Sequence, residues 1–216
     1  MDLQNFLSDC AKTDVSEIVR SVFAKIDVSK LTEYRKIVKS LKIEMPDSAF
    51  KAIYGEVIID KPLEFALSVF DENYTEITEK SHPALLKIHV FQNCFFDSNG
   101  SKTHFLVHSC ALSPVPSIVS NREVFCHAQR DNEPDQMTQY MVSVDPFASP
   151  TPKTVTGKVL AGFFRMERYG QQTKFSQFSF LDPSGKIPGK IFNIALDGRN
   201  DILIIIKKIC ENSTVE

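Results

Sequence analysis

Five histidines, His82, His89, His104, His108 and His127, are the side chains in this chain best suited to proton transfer or metal ligation. His104 and His108 fall on one face of a predicted strand. Four strand steps hold them roughly 13 Å apart at about 3.3 Å per residue, so the two do not meet at one metal ion. A cross-strand pairing with His89 or His127 stays open, because nothing in the sequence sets the register. Arg165, Glu167 and Arg168 bring charge to the end of another strand. They read either as a solvated strand end or as a cavity ion pair or headgroup anchor, with Arg165 and Glu167 the polar cavity candidates. No Walker loop, GxGxxG, GxSxG, HExxH or CxxC motif occurs, which removes the well-marked enzyme classes. No catalytic set, metal or cofactor is expected.

The five cysteines, Cys10, Cys94, Cys110, Cys126 and Cys210, are odd in number and none are paired as CxxC. Met1 to Asp9 is polar and lacks the basic start and apolar core of a secretory leader. Reduced thiols, buried as small hydrophobes in a cytoplasmic protein, are therefore expected. With 216 residues, 43% hydrophobic, the chain suits one globular domain. A formal net charge of -2 without a basic block argues against nucleic acid as a partner. The longest aliphatic run, Ile202 to Ile206, is far short of the roughly 20 residues that span a bilayer.

The elements that must position these residues begin with helical periodicity. Val15, Ile18, Val19, Val22, Phe23 and Ile26 recur at helical spacing, with Asp14 as N-cap. Leu31, Tyr34, Ile37, Val38 and Leu41 repeat the pattern, with Ser29 as N-cap. Residues 51–60 have strand character. Pro62 opens a short predicted helix over 61–73, and 74–83 reads as a second helix or a loop. From Ala84 the period changes to two, giving six successive strands up to Asp182 with turn-rich connections. Short loops between successive strands imply an antiparallel meander. The chain then closes on a long apolar helix from Pro188 onward, with a stripe of Ile187, Ile191, Ile194, Gly198, Ile202, Ile205 and Ile209. A curved sheet needs something to fill its concave side, and this helix is the one long apolar element left over.

Two segments resemble the START (StAR-related lipid-transfer) family of the helix-grip superfamily. "PSIVSNREVFCHAQRD" (116–131) looks like the family's S-x-R-D turn and following strand, with Glu123 in place of the usual Asp. "TKFSQFSFLDPSGKIPGKIFNIAL" (173–196) looks like its last strand, its D-x-x-G-x-[IL]-P turn and the start of its final helix. The resemblance implies an α+β helix-grip fold, a curved antiparallel sheet wrapped around a long C-terminal helix, preceded by N-terminal helices. Residues 1–45 would be a helical segment packed on a START-like domain spanning 46–213. It also implies a carrier that holds one lipid, a phospholipid, a sterol or a relative, in an apolar tunnel under the C-terminal helix. Such a carrier moves its lipid between membranes and is cytoplasmic and transiently membrane-associated.

Alternation on the last strand puts Phe175, Gln177, Ser179 and Leu181 on one face and Ser176, Phe178 and Phe180 on the other. The family likeness favours the first set as inward and the aromatic count favours the second; the first is preferred. Gln177 and Ser179 would then fix a polar ligand group. Leu160, Gly162, Phe164 and Met166 share a face of the preceding strand, and the helix would add Ile191, Ile194, Ala195 and Ile202. The segment Gly185 to Gly189, with Pro188, reads as a hinge, and Gly198 as a second soft point. Two alternatives remain open. One is a superfamily enzyme, a cyclase or hydrolase, using Glu167 or a histidine. The other is an interaction or sensor module whose tunnel is filled by some of the 17 phenylalanines.

Overall fold

The computed structural model describes residues 3–71, 85–96, 102–111 and 120–213, with the side chains of 85–96, Gln4 and Ala195 outside that description. The expected helix or loop at 74–83 lies outside the described residues. Helices α1 (Leu3–Cys10) and α2 (Val15–Phe23) open the chain. The Asp14 carboxylate accepts hydrogen bonds from the Ser16 and Glu17 backbone N–H groups, so α2 starts where a side chain replaces the missing helical acceptors. Val15 and Val19 of the expected stripe are fully buried, while Ile18 is exposed.

The second expected helix is not formed. Residues 31–41 instead build β1 (Thr32–Tyr34) and the start of β2 (Val38–Ile43), joined by a turn with Arg35 and Lys36 at φ 51° and 61°. Ser29 is not an N-cap there; its N–H donates to Asp27, which caps the 3-10 turn Val28–Lys30. Helical spacing was present, but the β2 backbone pairs with β3 (Ala52–Ile59), and that ladder overrides a weak local preference. The pairing runs across residue 45, so the segment 1–45 is part helix and part sheet.

Helix α3 occupies 63–71, after Pro62. The meander follows: β4 (Leu85–Phe96), β5 (Lys102–Ala111), β6 (Asn121–Glu133), β7 (Gln136–Ser143), β8 (Thr154–Thr156), β9 (Lys158–Tyr169) and β10 (Gln172–Asp182). The segment 154–170, expected as one strand, is split at Gly157, and β8 pairs parallel to β6. The sheet order is β1-β2-β3-β10-β9-β7-β6-β5-β4, so the last strand lies in the middle, against β3. α4 (Gly189–Ala195), a 3-10 segment (Leu196–Asn200) and α5 (Asp201–Asn212) replace the single long C-terminal helix.

Side-chain alternation gives the sheet two buried faces. On the outer face, Val15 and Val19 of α2 pack with Tyr54, Tyr140, Phe163 and Phe178, and Phe23 meets the Phe163 ring edge-on at 4.9 Å. Leu7 of α1 packs there on Leu106, Phe125 and Phe147. On the inner face, α3 and α5 close over Val57, Ile59, Met137, Met166 and Phe175.

Candidate functional site

Where the inner face is not filled by α3 and α5, the fold holds a cavity of about 170 Å³. Val107, Ser109 and Ala111 of β5, Arg122, Val124 and Cys126 of β6, and Met141 of β7 line one side. Val159, Gly162 and Phe164 of β9 and Gln177, Ser179 and Leu181 of β10 line the other. Arg199 and Ile202 close it from the C-terminal segment. Phe164, Gln177, Ser179 and Ile202 thus meet at the cavity, and the preferred face of β10 is the inward one.

Met166 and Phe175 lie on that same face but are buried in the core under α3 and α5. Leu160 does not point inward. Ala161 pairs with Phe180 but Val159 with Leu181, so Leu160 is the extra residue of a β-bulge and turns out, 39% exposed. The bulge puts Val159 in its place, held by the Ser143 hydroxyl, which accepts from the Val159 N–H at 2.7 Å. Arg165 and Glu167 lie on the outer face and are not cavity groups. Arg165 sits over the Phe163 ring and donates to the Thr138 hydroxyl, and Glu167 pairs with Lys174 at 3.0 Å. Ile191 and Ile194 also face away, 39% and 76% exposed. Ala195 ends α4, and its side chain is outside the described residues.

The expected hinge is tightly tied. Ser184 and Gly185 take φ 53° and 70°, and the Asp182 carboxylate accepts from the Ser184 N–H. Arg122 donates to the carbonyls of Ser120, Asn121, Pro183 and Ser184, clamping this turn to the start of β6. Pro188 precedes the first residue of α4. Gly189 lies so close to the Ala49 carbonyl that a Cβ would overlap it. Gly198, in contrast, has open space around its Cα.

The 3-10 segment is pinned from beneath. Gln177 Nε2 donates to the Arg199 carbonyl at 2.7 Å and to Asn200 Oδ1 at 3.0 Å. Asn200, fully buried, donates to the Ser40 hydroxyl at 2.6 Å. The Gln177 amide therefore holds the wall of the cavity with its N–H groups. Among the described residues the Arg199 guanidinium has no hydrogen bond or ion pair. Burial pushes its pKa down to about 10, so it stays protonated at neutral pH.

His104, His108 and His127 lie on the opposite side of the sheet. His104 Nδ1 meets His127 Nε2 at 3.0 Å, and His108 contacts Glu123 at 3.0 Å while stacking on Phe125. Burial, then the neighbouring His104, pushes the His127 pKa down to about 4. Glu123 also accepts from Thr151 N and Thr154 Oγ1. Burial opposes its ionisation, but these hydrogen bonds and that from His108 win and lower its pKa. Among the described residues, no group of three or more His, Cys, Asp or Glu side chains is placed to hold a metal.

Comparison with solved structures decides the fold. Human STARD10 superposes with a TM-score of 0.71 at 16% identity, covering 92% of this chain and 80% of that one. The fold is that of the START domains. Human StAR-related lipid transfer protein 5 gives 0.68 at 16% identity, over 95% of this chain and 98% of that one. A STAR-related lipid transfer protein from Xanthomonas axonopodis gives 0.67 at 14%, over 86% and 100%. No family model matches the chain, and no curated protein matches it in sequence. In this START fold the two segments that carried the resemblance touch each other: Arg122 of the first clamps the turn of the second. Sequence reasoning did not single out Arg122 or Arg199 for the cavity. The available signal was slight: Arg199 is the single arginine after Arg168, in the polar turn 197–201 between two apolar stretches.

Proposed function

We propose that the protein binds one lipid in the cavity between the inner face of its sheet and the C-terminal segment, and carries it between membranes. The observation that supports this reading best is a mostly apolar cavity in a START fold, with solved neighbours that are themselves named lipid transfer proteins. Each buried methylene contributes about 0.8 kcal/mol, so an apolar site competes with a bilayer for an acyl chain. At about 170 Å³ the cavity is smaller than the roughly 300–1,000 Å³ of typical ligand pockets. Loading therefore involves displacement of a wall, and the 3-10 break between α4 and α5 is the natural one to move. Phe164, Gln177, Ser179 and Ile202 are the ligand-facing residues of this reading, with Gly185, Pro188 and Gly189 anchoring the moving segment and Gly198 giving it freedom. Exposed Ile191 and Ile194, beside exposed Lys186 and Lys190, form the surface that meets the membrane transiently, from the cytoplasmic side.

A superfamily enzyme has less support. Glu167 and the described histidine side chains lie on the outer face, away from the cavity. A filled, vestigial pocket is also less supported, since the phenylalanines leave the space open. Native mass spectrometry of the purified protein, with extraction of bound lipid and transfer of labelled lipid between vesicles, tests the proposal. A stoichiometric lipid and measurable transfer are expected, and Phe164→Asp should abolish both in a folded protein. A chain that stays empty and transfers nothing defeats the reading.

A further inference from the structure

The cavity carries a charge imbalance. Two of its lining residues, Arg122 and Arg199, are cationic, and none of the residues lining it is acidic. Arg122 spends its donors on four carbonyl oxygens, which satisfy its hydrogen bonds but leave its charge uncompensated. Arg199 is more exposed to the imbalance, because among the described residues nothing accepts from its guanidinium. Its backbone is also fixed: its carbonyl accepts from Gln177, and its neighbour Asn200 is tied to Gln177 and Ser40. The site therefore presents a planar five-donor fork, carried on an anchored backbone, at the wall of an apolar space. Arg199 is partly buried and, among the described residues, has no counter-ion; a cation at the wall of an apolar space gains when a partner of opposite charge arrives with the ligand. Ser109 and Ser179 add neutral hydroxyls to the same space.

We propose that the cavity selects a lipid whose head bears a single anionic group, a carboxylate or a phosphate, paired with the Arg199 fork and further attracted by the charge of Arg122. This rests on the lipid-carrier reading and names the class of its ligand. The small volume favours one acyl chain over two. The two cations make the interior hostile to a cationic head and indifferent to a neutral one.

The test compares hexadecanoate, hexadecanol and inorganic phosphate as ligands of the full chain, by titration calorimetry and by shift of Tm. Wild type should bind hexadecanoate at least ~10-fold tighter than hexadecanol, as charge-assisted bidentate pairing requires. Arg199→Gln should remove that preference while still binding hexadecanol, and Arg199→Lys should restore part of it. Without ligand, Arg199→Gln should melt no lower than wild type, since it removes a partly buried charge that has no counter-ion among the described residues. Equal affinity for hexadecanoate and hexadecanol overturns the anionic head but leaves lipid carriage standing. Binding of neither lipid overturns carriage itself. Inorganic phosphate that binds as tightly as hexadecanoate, and competes with it, shows an anion site that does not use the chain, and overturns the lipid-head assignment.

Discussion

Single residues on the outer face already set measurable properties. His127 is buried against His104 and is held neutral, with a pKa near 4 against ~6.5 in an unfolded chain. As pH falls, the unfolded chain takes up this proton first. Stability is therefore full above about pH 6.5 and is lost between 6.5 and 4, by at most ~3 kcal/mol from this group. Urea midpoints measured at pH 7.5 and 5 should show that loss, and His127→Gln should flatten it; an unchanged slope in the variant would rule this origin out. Arg122 acts at the same scale but through geometry. Its fork joins Pro183 and Ser184 to the start of β6, so Arg122→Ala leaves several carbonyls without a donor and should cost ~1–3 kcal/mol. Arg122→Lys should recover little, because an ammonium does not span four acceptors from one plane. Thermal unfolding of the two variants separates charge from fork: near-complete rescue by lysine would show that charge alone matters.

At the scale of elements, the C-terminal segment explains both what the sequence disclosed and what it hid. The period-two strands, the helix after Pro62 and the Asp14 cap were readable because alternation and capping are local signals. The apolar stripe from Ile187 to Ile209 misleads because its spacing is that of one unbroken helix. Five residues of 3-10 turn at 120° each, in place of 100°, rotate the following face by roughly 100°. That rotation puts Ile202, Leu203 and Ile206 on the sheet and leaves Ile194 in solvent. The hairpin at 32–43 and the bulge at Leu160 were hidden for a related reason: each depends on a partner strand distant in sequence. The break itself is fixed by close approach to β3. A Cβ at Gly55 would overlap Asn200 Oδ1 and come within 2.9 Å of Leu203 Cδ1. Gly55→Ala should accordingly lift the segment and cost ~1–3 kcal/mol by overpacking. Gly198, with open space and no positive φ, should respond oppositely. Gly198→Ala should stabilise by ~0.4–1 kcal/mol by restricting the unfolded chain, and should slow ligand exchange if the segment is the moving wall. A destabilised Gly198→Ala would show that this turn needs glycine for conformational reasons.

At the scale of the whole molecule, the sheet divides labour between its faces. The outer face is closed by α1 and α2 with interlocking aromatic rings and holds His104, His108 and His127, whereas the inner face keeps a space beneath a segment that is pinned at one point and broken beside it. In the proposed reading, binding and membrane contact are consequently separate in space. The cavity uses Arg199 and Ile202, while the exposed Ile191 and Ile194 of α4 lie on the other side of the same short segment. This separation makes the two roles independently testable. Ile194→Asp adds a charge to a side chain that is 76% exposed and touches no core cluster, so folding and equilibrium lipid binding should be unchanged. Insertion of α4 into the interface should weaken, because the variant loses apolar contact there and gains repulsion from anionic lipids. Transfer between vesicles should slow by ~10-fold, matching the ~1.4 kcal/mol that tenfold represents. The slowing should be larger for vesicles rich in anionic lipid, where Lys186 and Lys190 contribute attraction. Loss of lipid binding together with transfer would instead mean that α4 forms part of the cavity wall and that contact and carriage are one step.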